Sequence, residues 1–160
     1  MVIILGIDPG SRKTGYGVVA YDGKNLRRID SGYVCLAKGA LVDRLGKITQ
    51  SLSDVIQLNA PDQVAIEQVF MSVNPNSAIK LGQARGAAIV AASQHQLPLS
   101  EYSARQVKQA VVGYGAAAKG QVQVMVRSLL SLNAPLQEDE ADALAIAICH
   151  AHSCGILKPF

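Results

Sequence analysis

Asp8, Glu67, Asp139 and Asp142 are the residues of this chain best suited to chemistry. Asp8 closes the apolar run Ile4-Leu5-Gly6-Ile7, and Glu67 closes Val64-Ala65-Ile66. Asp139 and Asp142 stand three apart in Glu138-Asp139-Glu140-Ala141-Asp142. An acid at the inner end of an apolar strand needs a partner, because burial penalises its charge. Carboxylates gathered from distant parts of a chain supply the oxygen ligands that hard divalent cations take. Two such cations about 4 Å apart catalyse in-line displacement at phosphorus, one activating water and the other stabilising the leaving oxygen. Without cations, four gathered carboxylates repel and some take up protons. Each acid also has a plain structural reading. Asp8 precedes Pro9-Gly10 and suits a turn. Glu67 suits a buried arginine, and the acids from Glu138 to Asp142 suit a helix N-terminus.

The elements that must position these acids are legible in the pattern. Val2 to Asp8 reads as a strand buried on both faces. Pro9-Gly10-Ser11 turns the chain, Tyr16 to Tyr21 reads as a second strand, Asp22-Gly23 as a hairpin turn and Arg27 to Leu36 as a third strand. Leu41, Leu45, Ile48, Leu52, Val55 and Ile56 recur at helical spacing until Asn59-Ala60-Pro61. Val64 to Glu67 is a short buried strand. A long helix runs from Asn76 to about His95, apolar around most of its circumference and rich in Gly and Ala. Pro98 to Tyr102 is a fifth strand. Ala104 to Val112 is a short helix, followed by a Gly- and Ala-rich loop to Gly120 and a helix marked by Val122, Met125, Val126, Leu129 and Leu130. The last helix runs from about Glu138 to His152. The order β-β-β-α-β-α-β-α-α-α predicts an α/β fold: a mixed five-stranded sheet, three antiparallel strands and then parallel ones, with helices on both faces. Asp8 and Glu67 become neighbours if the first and fourth strands run parallel, at the carboxyl ends where such sheets gather their sites. Asp139 and Asp142 share one helix face.

At 160 residues the chain is expected to form a single domain over 1–160. Aliphatic and alanine packing must supply the core, since aromatics are 4% and Trp is absent. No apolar run approaches the roughly 18 residues of a membrane span, and Val2-Ile3-Ile4-Leu5 enters a structured motif without a signal-peptide pattern. No membrane association is expected. Cys35, Cys149 and Cys154 are an odd number without paired spacing, which suits a reduced, cytoplasmic protein. Cys149-His150-Ala151-His152-Ser153-Cys154 crowds its ligand types into one helix end, poor geometry for tetrahedral zinc. Net charge is only +3, but between Met71 and Gln137 the bases Lys80, Arg85, Arg105, Lys108, Lys119 and Arg127 face Glu101 alone. Cations on the four acids would unmask further basic character. A polyanion partner fits this balance, and so does a solvated basic face.

The motifs together resemble the RuvC family of Holliday-junction resolvases, which have the ribonuclease-H-like fold. The resemblance rests on Gly6-Ile7-Asp8-Pro9-Gly10-Ser11 with Thr14-Gly15-Tyr16-Gly17, and on Ala65-Ile66-Glu67-Gln68-Val69-Phe70. Lys80-Leu81-Gly82-Gln83-Ala84-Arg85-Gly86, Arg105-Gln106-Val107-Lys108 and Asp139-Glu140-Ala141-Asp142-Ala143-Leu144-Ala145 follow in family order. The resemblance implies a ribonuclease-H-like nuclease domain and a homodimer that nicks two opposed strands of like polarity in four-way junction DNA during recombination and repair. It implies that Asp8, Glu67, Asp139 and Asp142 are catalytic and hold two Mg²⁺ ions, with Mn²⁺ as a substitute. It places Phe70 against bases at the crossover, where an aromatic face can stack, and Lys108 and Lys119 near the scissile phosphate. Arg12, Lys80, Arg85 and Arg105 are further DNA-contact candidates, although an arginine in a Gly-rich helix equally suits a structural ion pair. The long helix would contribute to the dimer interface, and the RuvA–RuvB branch-migration complex would be a partner. Two alternatives remain: a ribonuclease-H-like nuclease acting on RNA or ordinary duplex, and a non-catalytic junction-binding module. Asp8-Pro9-Gly10-Ser11 with Gly15 also resembles the first phosphate loop of sugar-kinase and actin-like ATPases, but those proteins need two lobes, and this chain has room for one.

Overall fold

The computed structural model describes residues 1–36, 38–69 and 74–154. The chain begins with β1 (Val2–Asp8), β2 (Lys13–Tyr21) and β3 (Leu26–Cys35), followed by α1 (Leu41–Asn59) and β4 (Gln63–Glu67). It continues through α2 (Pro75–Gln94), β5 (Leu99–Tyr102), α3 (Ala104–Val112), α4 (Lys119–Leu129) and α5 (Glu138–Cys154). The five strands form one sheet in the order β3-β2-β1-β4-β5. β1, β2 and β3 pair antiparallel, and β4 and β5 run parallel to β1, so the expected mixed sheet is the observed one.

Side-chain alternation along β1 and β4 divides the core in two. Ile4, Val19 and Ala65 face α3, α4 and α5, where they pack with Val107, Val126, Leu144 and Ile148. Leu5, Ile7, Val18, Val64 and Ile66 face α1 and α2, against Ile48, Leu52 and the alanines of α2. By the same parity, Asp8 follows Ile4 and Gly6 onto the α5 face, and Glu67 follows Ala65. The strand ends thus aim both acids toward one helix.

Two boundaries differ from expectation. β2 begins at Lys13 rather than Tyr16, because Lys13 and Thr14 pair with Cys35 and Val34 on β3. The glycines that weaken this stretch as a strand serve packing instead. A Cβ on Gly15 would lie 2.0 Å from the Asp139 carbonyl oxygen, and one on Gly6 would lie 2.2 Å from that of Ala143. Only bare backbone lets α5 lie so close to β1 and β2. α4 begins at Lys119, at the loop side of the expected helix, where the Gln121 side chain accepts from the Ala118 N–H at 2.9 Å.

α5 is buried almost continuously from Ala143 to Ala151. α2 buries Ala84, Ala87, Ala88, Ala91 and Ala92 but leaves Ile79 59% and Val90 47% exposed. The apolar circumference of α2 therefore has one face on the core and another in solvent. No helix among the described residues is long and apolar enough to cross a membrane.

Candidate active site

Asp8 and Glu67 lie side by side where β1 and β4 end, one step beyond the pair Ile7–Ile66. Their side chains are hydrogen-bonded to each other. Asp8 is matched in register with Gly15 of β2, the residue against which the Asp139 backbone presses. That contact brings the start of α5 over the strand ends and carries Asp142, one helical turn on, to the same place.

The electrostatics report the convergence. Burial, then the charges of Glu67, Asp142 and Asp139, push the Asp8 carboxyl up to about 8, with Lys119 opposing. Glu67 is also raised, by burial and Asp142, while its hydrogen bond with Asp8 and the charges of Lys119 and Lys108 pull the other way. Asp142 is raised by burial as well. At neutral pH Asp8 carries a proton and donates a hydrogen bond to Glu67, which relieves one of the four charges.

Lys119 stands at the start of α4 and reaches across to α5. Its ammonium is 3.0 Å from Asp142 Oδ2 and is also bonded to Glu138 Oε1. Burial works against its charge, yet these two carboxylates outweigh it and raise its pKa. Glu67, Lys108, Lys119 and Asp142 share the wall of a cavity of about 230 Å³ with Ala104, Val107, Val122, Ala145 and Ile146. Two acids and two lysines lining one cavity, with Lys119 against Asp142, make a slot suited to an anion whose charge is shared with cations.

Among the described residues, no three His, Cys, Asp or Glu side chains stand at the spacing that would enclose a metal ion. Each acid has a protein partner: Asp8 and Glu67 bond each other, Asp142 bonds Lys119, and Asp139 Oδ2 accepts from Gln137 Nε2 at 3.0 Å. The donor chemistry nonetheless fits a hard divalent cation, since the cluster is all oxygen and holds one acid protonated to limit its own repulsion.

The other candidates divide. Arg85 donates through Nε to the Glu67 carbonyl at 3.2 Å and pairs with Glu101 at 2.6 Å, so it ties α2 to the ends of β4 and β5. That is the structural ion pair its Gly-rich surroundings suggested. Arg105 lies over Gly115 and lines a different cleft, with Tyr102, Gln109 and His152. Arg12 is exposed in the turn after Asp8, and Lys80 borders a small cavity beside Ser11 and Arg44. Phe70 lies outside the described residues. Three contributors were missed from sequence. Arg44 bonds the Ser11 carbonyl through Nη2 and steadies the turn behind Asp8. Glu138 holds Lys119, and Gln137 holds Asp139. Glu138 sits three residues before Ala141 in the acidic run, where its charge was legible but its partner on another helix was not.

This constellation has close relatives. The family model described as "Crossover junction endodeoxyribonuclease RuvC" matches residues 4–150. The chain belongs to the RuvC family. A protein of that name from Pseudoalteromonas translucida is 59% identical, the match covering 96% of this chain and 88% of the relative. Its counterpart from Acinetobacter baumannii is 53% identical over 99% of this chain and 87% of the relative. Among solved structures, T. thermophilus RuvC in complex with a Holliday junction substrate superposes with a TM-score of 0.93 at 36% identity, covering 98% of this chain and 96% of that one. The family match spans all four acids and both lysines of the slot. The ribonuclease-H-like sheet of the RuvC family is therefore the frame in which these side chains meet.

Proposed function

We propose that this chain is a crossover junction endodeoxyribonuclease, a hydrolase that resolves four-way DNA junctions in recombination and repair. The observation that carries the reading is the match, over nearly the whole chain, to a RuvC bound to a Holliday junction. The local chemistry agrees with it. A ribonuclease-H-like domain brings four acids together where β1 and β4 end, with Lys108 and Lys119 lining the cavity beside them.

Asp8, Glu67, Asp139 and Asp142 would hold divalent cations, Mg²⁺ by preference and Mn²⁺ as a substitute, two per site. When bound, such ions supply an activated water and neutralise charge on the phosphorus centre. The protein's own groups do the rest. Asp8 would release its proton to solvent, so that it and Glu67 would both be anionic toward the cations. Lys119 and Lys108 line the cavity, where the phosphate under attack would gather negative charge. Glu138 keeps the Lys119 ammonium from drifting into solvent.

A homodimer would place two such sites on opposed strands of like polarity. The open face of α2 supports this: Ile79 and Val90 are exposed, and among the described residues nothing stands within 4 Å of a Cβ built at Gly82 or Gly86. Two copies of this face could approach closely. Phe70 is assigned to bases at the crossover, Arg12, Lys80 and Arg105 to further DNA contact, and the RuvA–RuvB complex to the role of partner in the cytoplasm; Arg85 keeps its structural ion pair with Glu101.

One assay tests the reading. The protein is incubated with a labelled mobile four-way junction, a linear duplex and an RNA–DNA hybrid, with and without Mg²⁺. Symmetric Mg²⁺-dependent nicks in the junction alone are expected. Cleavage of the hybrid would favour a ribonuclease, and tight junction binding without cleavage would favour a binding module.

A further inference from the structure

We propose that Gln137 is a positioning residue for Asp139, fixing that carboxylate for the divalent cation the acid cluster holds; this rests on the metal-dependent reading above. Gln137 is the residue on which α5 starts. Its carbonyl accepts the first helical hydrogen bond, from Ala141 N–H at 2.9 Å. Its side-chain Oε1 accepts from the N–H groups of Asp139 at 2.8 Å and Glu140 at 3.4 Å. Glu140 Oε2 in turn accepts from the Gln137 N–H at 3.3 Å. This is a reciprocal capping box.

Helix caps favour Ser, Thr, Asp and Asn, whose short side chains reach the free N–H groups best. Gln is not among them, so capping alone does not account for the residue. What Gln adds is an amide donor on the same arm, and Nε2 gives that donor to Asp139 Oδ2 at 3.0 Å. One side chain thus grips Asp139 twice, by its backbone N–H and by its carboxylate. Both the start of the helix and the rotamer of the acid are fixed, and Oδ1 is left for a cation. The grip is anchored to the sheet: Glu140 Oε1 accepts from Ser31 Oγ of β3 at 2.5 Å and lies 3.6 Å from Arg28 Nη1. The Asp139 backbone is meanwhile pressed onto Gly15. Groups that orient a metal's ligands in this way commonly change its affinity by 10–100-fold.

The test uses the metal-free protein, with no DNA, titrated with Mn²⁺ while free ion is read by electron paramagnetic resonance. Gln137→Ser keeps a favoured cap and deletes the amide donor. It is expected to weaken Mn²⁺ binding about tenfold or more while the metal-free thermal midpoint stays within about 3 °C of the parent. Asp139→Asn should weaken binding at least as much, and Gln137→Ser added to it should cost nothing further. Wild-type affinity in Gln137→Ser, with Asp139→Asn impaired, would make Gln137 a cap only and overturn the proposal. Additive losses in the double variant would overturn it too. Unchanged affinity in Asp139→Asn would instead remove Asp139 from the metal site, and the proposal would fall with that part of the underlying reading.

Discussion

α5 carries a buried polar cluster at each end, and the two are built on opposite principles. At its N-terminal end, Asp8, Glu67, Asp139 and Asp142 are alike in charge, and burial and mutual repulsion raise Asp8 to about 8. At its C-terminal end, the partners of His150 complement one another. His150 Nδ1 is 2.8 Å from the Tyr102 hydroxyl and Nε2 is 2.7 Å from Gln63 Oε1. Cys154 Sγ is 3.2 Å from the same Nε2. With Gln63 offering an oxygen, Nε2 donates and Nδ1 accepts from Tyr102, so a neutral ring satisfies both neighbours. Burial alone lowers the His150 pKa, which keeps the ring neutral. A polar cluster that satisfies itself holds structure together. One that repels itself is costly to keep, and perturbed carboxylates of this kind cluster at functional sites, which is the reading proposed above for this end of α5.

Removing an acid from that end should have the largest effect. Asp8→Asn is expected to reduce junction cleavage about 10³-fold or more under saturating Mg²⁺, because a ligand and a negative charge are lost together. The same variant should melt higher than the parent at pH 8 without metal, since an unwelcome buried acid is gone. A gel assay of symmetric nicking and a pair of melts read both arms. Full Mg²⁺-dependent cleavage by Asp8→Asn would end the catalytic reading of the cluster.

Displacing the cluster should come next. Gly15→Ala inserts a methyl where the Asp139 carbonyl oxygen lies 2.0 Å away, so the start of α5 must move. A shift of about 1 Å in a reacting group commonly costs about 10²-fold in rate. The cleavage rate of Gly15→Ala is expected to fall by that order, with stability reduced by about 1–3 kcal/mol. A variant that loses stability but cleaves normally would show that the close approach serves packing alone.

At the other end of α5 the pattern should invert. His150→Phe leaves the Tyr102 hydroxyl and the Gln63 amide without their ring partner, at a cost of about 2–3 kcal/mol. Denaturant melts should show that loss, while the cleavage rate per folded molecule stays near that of the parent. A large rate loss with unchanged stability would move His150 to the functional side.

The contrast between the clusters was only half legible in the sequence. Strand parity and the β-β-β-α-β order put Asp8 and Glu67 at one edge, because period-two alternation survives in any buried strand. The convergence of Asp139 and Asp142 was not legible, because it depends on where α5 lies. That depends in turn on bare backbone at Gly6 and Gly15, residues whose sequence signal is a weak strand. Lys108 and Lys119 came from family resemblance; as isolated lysines they read as surface. Glu138 and Glu140 read as generic helix-start acids, yet one holds Lys119 and the other ties α5 to Ser31 and Arg28. A charge in sequence has no visible partner when the partner lies 19 or 109 positions away. The His150 network was missed for the same reason, since Gln63 and Tyr102 belong to two different strands.

The smallest effect, and the one that compares the two ends directly, is on metal-free stability against pH. Asp8 moves from 3.8 to about 8 on folding, through burial first and its acidic neighbours second. The folded chain keeps a proton that the unfolded chain releases near pH 4. The contribution of this end is therefore most favourable below that pH and falls as pH rises toward 8, by at most about 1.4 kcal/mol per unit. His150 runs the other way. Its pKa is lowered from 6.5 by burial, so the unfolded chain takes up a proton first. Its contribution is full above 6.5 and is lost as pH falls below it. Between pH 7 and 8 the His150 slope is gone and that of the acids, led by Asp8, should remain, so Asp8→Asn should reduce it most while His150→Phe leaves it intact. Between pH 5 and 6 both act with opposite sign, so His150→Phe should make the decline with rising pH steeper. Saturating Mg²⁺ should cancel the Asp8 slope in the parent, because a bound cation displaces the proton in both pH ranges. An Asp8→Asn variant that kept the parent's slope from pH 7 to 8 would mean that the strain at this end of α5 resides elsewhere.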